Sequence, residues 1–289
     1  MTAALVLALG IACAAVVPES PGRGQRATVD ARAPLPTLQA RAPHPPPRTS
    51  SALARAWGLA TPPLPPPAPP TVKPAIAFRK GFEVSGADAT TLPPVFTTIP
   101  TKDKVIFLTV DDGYEKDPDF LRMTRELRIP YTAFLTDSAV KDDYAYFRRM
   151  QSAGTSLNNH TLSHRYLRGM AHDRQRHEIC GQQDVIHNVF GTAPKLFRPP
   201  YGAYDGNTLR AAKSCGITHV PLWNTEAFPD HMEWRDADRD LHPGDIILTH
   251  FRGPRHWKGS MPDTLRQVLR VATDRGYALA RLDDYLPTS

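Results

Sequence analysis

The sequence predicts an α/β protein: a distorted or incomplete (β/α) barrel of about seven parallel strands, preceded by a disordered proline-rich segment. Three observations favour this fold. Strand-like and helix-like stretches alternate from residue 76 onwards. Acids, histidines and an arginine follow several of the strand-like stretches, which is where (β/α) barrels carry their sites. Finally, 16 of the 30 prolines lie between residues 18 and 75.

The alternation defines the elements of the barrel. Regular spacing of apolar residues, with Gly216 and Gly276 as stops, predicts helices at 118–129, 142–153, 171–190, 205–214 and 262–274. Short runs rich in β-branched and aromatic residues predict strands at 105–110, 131–136, 155–159, 195–198, 218–223, 245–250 and 277–282.

The chain begins with a run, residues 1–17, that is apolar except for Thr2. A membrane span needs about 20 apolar residues, so the run is short for one. It ends near Ala12-Cys13-Ala14, which resembles the small-residue cleavage site of a secretory signal. No Lys or Arg precedes the run, so a short anchor is the alternative to a signal peptide. In either case we expect an exported protein, secreted or held at the cell surface.

Residues 18–75 are predicted to form a disordered linker rich in Pro and Arg, because such a composition cannot bury a core. The linker has seven basic and two acidic residues, so it carries +5 of the net charge of +6. We expect it to contact an anionic cell envelope. The remainder, residues 76–289, shows no basic stripe with interleaved aromatic residues, so nucleic-acid binding is not expected. We expect a monomer.

The chain has three cysteines, and the first leaves with the predicted signal. Cys180 and Cys215 then remain, an even number in an oxidising compartment. Two interpretations stay open: a disulfide between neighbouring helices, or two separate buried thiols.

The first candidate for chemistry is the pair Asp111-Asp112, which follows the strand at 105–110 and precedes Gly113. A buried strand that ends in two acids and a glycine delivers carboxylates to a loop. Two other acid pairs are less suitable. Asp142-Asp143 opens a predicted helix, and Asp283-Asp284 has no glycine after it.

A second candidate is the pair His160 and His164, which follows the strand at 155–159. The spacing alone is weak, because two histidines on one turn can be a surface feature. Two imidazoles with the carboxylate of Asp112 form a common catalytic zinc set with an open fourth position. We therefore expect a divalent metal, Zn²⁺, with Asp111 free to take a proton from water.

Three later residues complete this interpretation. His250 ends the strand at 245–250 and is suited to protonate a leaving amine if a carboxylate lies beside it. Arg198 can pair with Asp111 and keep it ionised and oriented. The turn at Tyr201 can present a backbone N–H to an oxyanion.

Four motifs, in order, resemble those of the polysaccharide deacetylase family, carbohydrate esterase family 4, with its NodB-homology domain. They are Thr-x-Asp-Asp-Gly, His-Thr-x-x-His, Arg-x-Pro-Tyr-Gly and Leu-x-His, over about residues 100–285. The resemblance implies a distorted (β/α) barrel, makes 76–289 the catalytic domain, and implies hydrolysis of N-acetyl or O-acetyl groups on sugars. It also implies a role for each residue: Asp111 as base, Asp112, His160 and His164 as metal ligands, Arg198 orienting the base, Tyr201 at the oxyanion, and His250 as acid.

The chain departs from the family in two places. Tyr114 stands where the family often has Pro after Asp-Asp-Gly. The family's fourth motif is reduced to the segment 223–230, in which either Glu226 or Asp230 can supply the carboxylate for His250. Trp223, in the same segment, either lines an acetyl pocket or simply packs.

The function expected from the sequence is metal-dependent removal of acetyl groups from N-acetylated glycans, either peptidoglycan or chitin-like chains. The nearest alternative is an O-acetyl esterase of the xylan type, which would use the same site. The alternative from another class is a non-catalytic glycan-binding protein of the envelope.

Overall fold

In the computed structural model, residues 50–76 and 91–287 are described, and they alternate between strands and helices. The helices are α1 (Ser51–Ala56), α2 (Pro118–Leu127), α3 (Asp137–Val140), α4 (Tyr144–Ser152), α5 (His172–Phe190), α6 (Gly206–Ser214) and α7 (Met261–Asp274). The strands are β1 (Val95–Phe96), β2 (Val105–Asp112), β3 (Thr132–Leu135), β4 (Ser156–Asn159), β5 (Val220–Pro221), β6 (Thr225–Ala227), β7 (Met232–Trp234), β8 (Ile246–His250) and β9 (Ala278–Leu279).

The sheet is built around β2, which pairs in parallel with β3 on one side and β8 on the other. The order is β4-β3-β2-β8-β6-β7, with β9 paired to the start of β2. Beyond β4, single bridges link Asn159 to Phe197 and Leu196 to His219, and the chain after His219 leads into β6. The strands therefore curve into a distorted barrel, and the predicted fold class is confirmed.

Two of the predicted strands are much shorter than expected. The stretch 195–198 contributes only bridges, and 218–223 contributes β5 and a bridge at His219. Prolines explain both limits, because Pro199, Pro200 and Pro221 have no backbone N–H to donate to a neighbouring strand. One antiparallel hairpin, β6 with β7, was not predicted.

The central strand explains where the polar residues lie. All eight residues of β2 are buried, from Val105 to Asp112. Its first six residues pack in the core, while its last two are carboxylates. Both acids are thereby fixed at the carboxyl end of the barrel, next to the ends of β3, β4 and β8.

The prediction of a disordered linker at 18–75 is wrong for the stretch 50–59, which forms α1 and packs on the main core. Ser50 caps α1 by accepting a hydrogen bond from the N–H of Leu53, and Ala54 and Leu59 are buried in the main core. The Trp57 indole donates to Glu126 on α2 at 2.7 Å. Composition averaged over the segment concealed this short amphipathic stretch. Residues 1–49, including the predicted signal and the rest of the linker, lie outside the described residues, as do 77–90 and 288–289.

The longest helix, α5, is joined to the end of α6 by a disulfide between Cys180 and Cys215. The structure thus favours the first of the two interpretations of these cysteines. Within residues 50–76 and 91–287, no helix has the length and apolar character needed to cross a membrane.

We predict that the attached segment contributes to stability. Leu59→Ala should lower the free energy of unfolding by about 2–4 kcal/mol, because Leu59 is 5% exposed and its loss leaves a cavity in the core. Urea denaturation of the full chain measures this change. Leu64→Ala is the matched control, since Leu64 is 39% exposed and should change stability by less than about 0.5 kcal/mol. Equal effects of the two substitutions would contradict the packing described here.

Candidate active site

The site begins at the end of β2, where two adjacent carboxylates reach the same cluster. Neighbouring strand residues normally point to opposite faces. Here Asp112 has φ 79°, which ends the strand conformation and turns its side chain. Gly113 follows with φ 113°, and a Cβ at this position would lie 2.3 Å from the Cγ1 of Val140. The glycine is therefore required by both backbone conformation and space.

Asp112, His160 and His164 come together as the sequence predicts. The Nε2 atoms of His160 and His164 lie 3.6 and 3.2 Å from Oδ1 of Asp112. That oxygen is buried, and none of the described residues hydrogen-bonds to it. The three donor atoms lie within 4.8 Å of one another. Three converging ligand atoms, one of them this buried oxygen, form a site suited to a small cation.

The donor set fits zinc, which takes histidine nitrogen and carboxylate oxygen and, in catalytic sites, keeps one position open. Nδ1 of His160 lies 2.6 Å from the backbone oxygen of Arg198, so Nε2 is the nitrogen left for a metal. Burial lowers the pKa of His160 to about 3, which keeps the imidazole neutral as ligation requires.

The loop that carries the two histidines is held by polar side chains on the inner face of α5. Glu178 accepts hydrogen bonds from the backbone N–H and the hydroxyl of Ser163, at 2.9 and 2.5 Å. Asn159 donates to Gln183 and accepts from the N–H of Thr161. The loop therefore owes its shape to hydrogen bonds with the helix that follows it in the chain.

Backbone strain is concentrated at this site. Six non-glycine residues in the described part of the chain have positive φ, a region that costs L-residues free energy. Four of them belong to the candidate motifs: Asp112, Thr161, His164 and Tyr201. The surrounding hydrogen bonds hold these residues in conformations they would not adopt alone.

Arg198 is fully buried, and its guanidinium lies beside the buried carboxylate of Asp111. Its NH1 donates to Oδ1 of Asp111 and to the hydroxyl of Thr109, both at 2.8 Å. Nε and NH2 donate to the backbone oxygens of Pro221 and Leu222. The ring of Phe134 lies 4.4 Å from the guanidinium carbon. These bonds fix both the position and the charge of Arg198.

Asp111 is held by this arginine and faces the interior. Burial raises the pKa of Asp111, and the charge of Arg198 acts in the opposite direction. A carboxylate whose pKa is raised is a better proton acceptor than an ordinary aspartate. Since Oδ1 is bonded to Arg198, Oδ2 is the oxygen available to take a proton.

His250 lies beside Asp111 because the two residues are partners in the register of β2 and β8. Glu226 is paired with Leu248, two residues before His250, so its side chain lies on the same face. Its Oε1 is 3.3 Å from Nδ1 of His250. Asp230, by contrast, is exposed and bonds to His231. The structure thus places Glu226, and not Asp230, next to His250.

Tyr201 and Trp223 have different surroundings. Tyr201 is 65% exposed, and its ring centroid lies 4.8 Å from that of His164. Trp223 is partly buried and packs on the core, and its ring would be 3.0 Å from a Cβ at Gly202. Its ring also lies near the guanidinium of Arg235, at 4.9 Å. The described contacts of Trp223 are those of a packing residue.

Several residues at the site were not predicted. Arg252 donates to Oδ2 of Asp112 at 2.8 Å, and the edge of Trp257 faces His250 at a centroid distance of 5.8 Å. Glu178 looks like a surface residue in the sequence, because it is a charged residue on a helix with few apolar positions. For Arg252, the one signal in the sequence was its proximity to His250.

Comparison with known proteins agrees with this geometry. The sequence profile of the family described as polysaccharide deacetylase matches residues 98–220. The chain belongs to the polysaccharide deacetylase family. The resemblance drawn from the four motifs is confirmed, and the match includes the metal-ligand candidates and Arg198 but ends before His250.

Relatives of this deacetylase-family chain support the assignment. An uncharacterized protein of Streptomyces coelicolor is 43% identical and covers 68% of this chain and 78% of its own length. The peptidoglycan-N-acetylglucosamine deacetylase of Bacillus cereus is 27% identical, over 66% and 71%. A CE4 family pseudoenzyme from Bacillus anthracis superimposes with a TM-score of 0.58 at 20% identity, over 68% of this chain and 69% of the other, and shows the shared fold.

We predict that Glu226 makes stability depend on pH. Burial raises the pKa of Glu226 from 4.5 to about 7, so the folded state binds its proton more tightly than the unfolded state. The resulting stabilisation is complete below pH 4.5 and is lost as pH rises through about 7. Glu226→Gln should flatten the curve of unfolding free energy between these values.

Urea denaturation with a chelator present, repeated across this pH range, measures the slope without interference from bound metal. Asp230→Asn is the control, because the exposed Asp230 titrates below its ordinary value. The assignment of Glu226 is wrong if its Gln variant keeps the full slope of the wild type.

Proposed function

We propose that this protein is a metal-dependent deacetylase that removes acetyl groups from N-acetylated glycans, with peptidoglycan or chitin-like chains as substrates. One observation carries the proposal. A buried carboxylate held by an arginine, a histidine paired with a second carboxylate, and a set of three metal donors all meet at the carboxyl ends of β2, β4 and β8. These are the parts that amide hydrolysis requires.

Asp112, His160 and His164 would hold the metal, for which the donor set favours Zn²⁺. When bound, such an ion polarises a carbonyl oxygen and lowers the pKa of water towards ~7. Side chains and backbone groups of the chain carry out the other parts of the reaction.

Asp111 acts as the base in this proposal. Its Oδ2 accepts the proton that the attacking water loses, while Arg198 keeps Oδ1 fixed. Water oxygen bonds to the acetyl carbon, and the carbonyl oxygen gains negative charge. The backbone N–H of Tyr201 stabilises that charge, a contribution that a fixed donor makes without reorganisation.

His250 acts as the acid. The C–N bond breaks as Nε2 of His250 gives its proton to the sugar nitrogen, releasing acetate and a free amine. A protonated imidazole in a buried place needs a counter-charge, because burial lowers the pKa of His250. Glu226, whose Oε1 lies 3.3 Å from Nδ1, supplies that charge when it is ionised.

The substrate class is inferred from the family and its relatives. The Bacillus cereus relative is a peptidoglycan-N-acetylglucosamine deacetylase, and another relative, at 28% identity, is a chitooligosaccharide deacetylase. Residues 1–17 would direct export, and the Cys180–Cys215 disulfide is consistent with an oxidising compartment. The basic residues of the linker would then meet an anionic envelope.

A non-catalytic glycan-binding role is the second candidate. The reduced fourth motif is its one support. An O-acetyl esterase would use the same residues, and the substrate assay below separates it from the main proposal.

We predict that acetate release depends on both metal and Asp111. The zinc-loaded full chain should release acetate from N-acetylglucosamine oligomers or from peptidoglycan, and a chelator should stop it. Asp111→Asn should lower kcat about 10²- to 10⁴-fold, the range contributed by general base catalysis. Asp142→Asn is the control, because that exposed residue of another acid pair lies outside the site.

Each result of this assay favours one function. Release from O-acetylated xylan but not from N-acetylated chains would replace the deacetylase with an esterase. Glycan binding without release of acetate from any substrate would favour the non-catalytic role. Equal rates for wild type and Asp111→Asn would remove Asp111 from the reaction.

A further inference from the structure

Arg252 is a second arginine at the paired carboxylates, and neither the four motifs nor the comparisons assign it a role. We propose that Arg252 is a positioning residue: it holds Oδ2 of Asp112 so that Oδ1 faces the two imidazoles, and it thereby sets the affinity of the site for its divalent metal. The inference rests on the metal site of the proposed function and extends it to the residue that orients one ligand.

The contact is direct. NH2 of Arg252 donates to Oδ2 of Asp112 at 2.8 Å, while Oδ1 of the same carboxylate faces His160 and His164. Asp112 is 1% exposed, so bulk water does not compete for this hydrogen bond while Arg252 is in place. One oxygen is therefore occupied by the arginine, and the other is left for a cation.

The two neighbouring carboxylates have separate partners. Arg198 uses its donors on Asp111, Thr109 and two backbone oxygens, and none of its hydrogen bonds goes to Asp112. In residues 50–76 and 91–287, Arg252 forms the one Lys or Arg ion pair of Asp112. In this proposal Arg198 orients the base, Asp111, and Arg252 orients the metal ligand, Asp112.

Two features hold Arg252 in place. Its backbone N–H donates to the backbone oxygen of His250 at 2.8 Å, which ties it to the end of β8. Its guanidinium carbon lies 4.4 Å from the centre of the Tyr114 ring, a cation–π contact. Tyr114 follows Gly113 directly, so the residue that departs from the family pattern supports the arginine that holds Asp112.

Orientation and charge act in opposite directions on metal binding. A carboxylate with a free second oxygen can rotate away from its ligating position, and loss of an outer partner of a ligand typically weakens metal affinity about 10- to 100-fold. The positive charge of Arg252 repels a cation, so its removal alone would strengthen binding. The sign of the change therefore distinguishes positioning from simple electrostatics.

The experiment measures zinc affinity itself, by competition with a chelating dye, on the full chain freed of metal. Arg252→Met should weaken zinc binding about 10- to 100-fold, and Arg252→Lys, which keeps the charge but not the fork, should fall between it and the wild type. Tyr114→Ala should weaken binding less than Arg252→Met, while Tyr114→Phe keeps the ring and stays close to wild type. Arg255→Met is the matched control, an exposed arginine of the same loop, and should bind zinc like the wild type.

Thermal unfolding of each metal-free variant accompanies the titrations, so that a loss of zinc binding is interpreted only in a folded protein. If Arg252→Met does not fold, Arg252→Lys and Tyr114→Ala decide the matter, and wild-type affinity in both overturns the proposal. Unchanged or tighter binding by folded Arg252→Met also overturns it and leaves the metal site intact. A wild-type chain that binds no zinc overturns the metal site itself, and with it this role for Arg252.

Discussion

The buried ion pair between Asp111 and Arg198 is the interaction on which the site depends. Both side chains are almost completely inaccessible, and isolated charges in such a place would cost several kcal/mol each. The cost is offset because the guanidinium makes four hydrogen bonds, two of them to backbone oxygens of the segment before β6. Removing either partner would leave the other as an uncompensated buried charge, so the pair must be kept or lost as a unit.

This ion pair also fixes the elements around it. Arg198 bonds to the segment that leads into β6, so the chain that carries Glu226 is held against β8. Its backbone oxygen lies 2.6 Å from Nδ1 of His160, so the same residue also orients a metal-ligand candidate. One arginine therefore connects the proposed base, the metal set and the strand with the proposed tuning carboxylate. Glu178 on α5 likewise holds the loop that carries His160 and His164, by accepting two hydrogen bonds from Ser163.

How far the sequence predicts this arrangement depends on the range of the interactions. Asp111 and Asp112 follow an apolar run, His160 follows the predicted strand at 155–159, and His250 ends the one at 245–250, so local pattern was enough to place them at one edge of the sheet. The choice between Glu226 and Asp230 depends on the register between β6 and β8, which local pattern does not contain. The role of Arg252 depends on a contact between distant segments, and that of Glu178 on how α5 packs against the loop before it. Helix α1, in the stretch 50–76, was not predicted because a composition averaged over many prolines conceals one short helix.

The reduced fourth motif does not by itself argue for a protein without activity. A fold shared with a pseudoenzyme says nothing about function, because function resides in the site that the fold carries. The proposed mechanism needs a carboxylate next to the acid, and within this reduced segment Glu226, on β6, lies beside His250. Burial raises the pKa of Glu226 to about 7, so this carboxylate changes charge near neutral pH, where an ordinary aspartate would not. In the proposed mechanism, the departure from the family pattern therefore bears on the pH at which His250 can act.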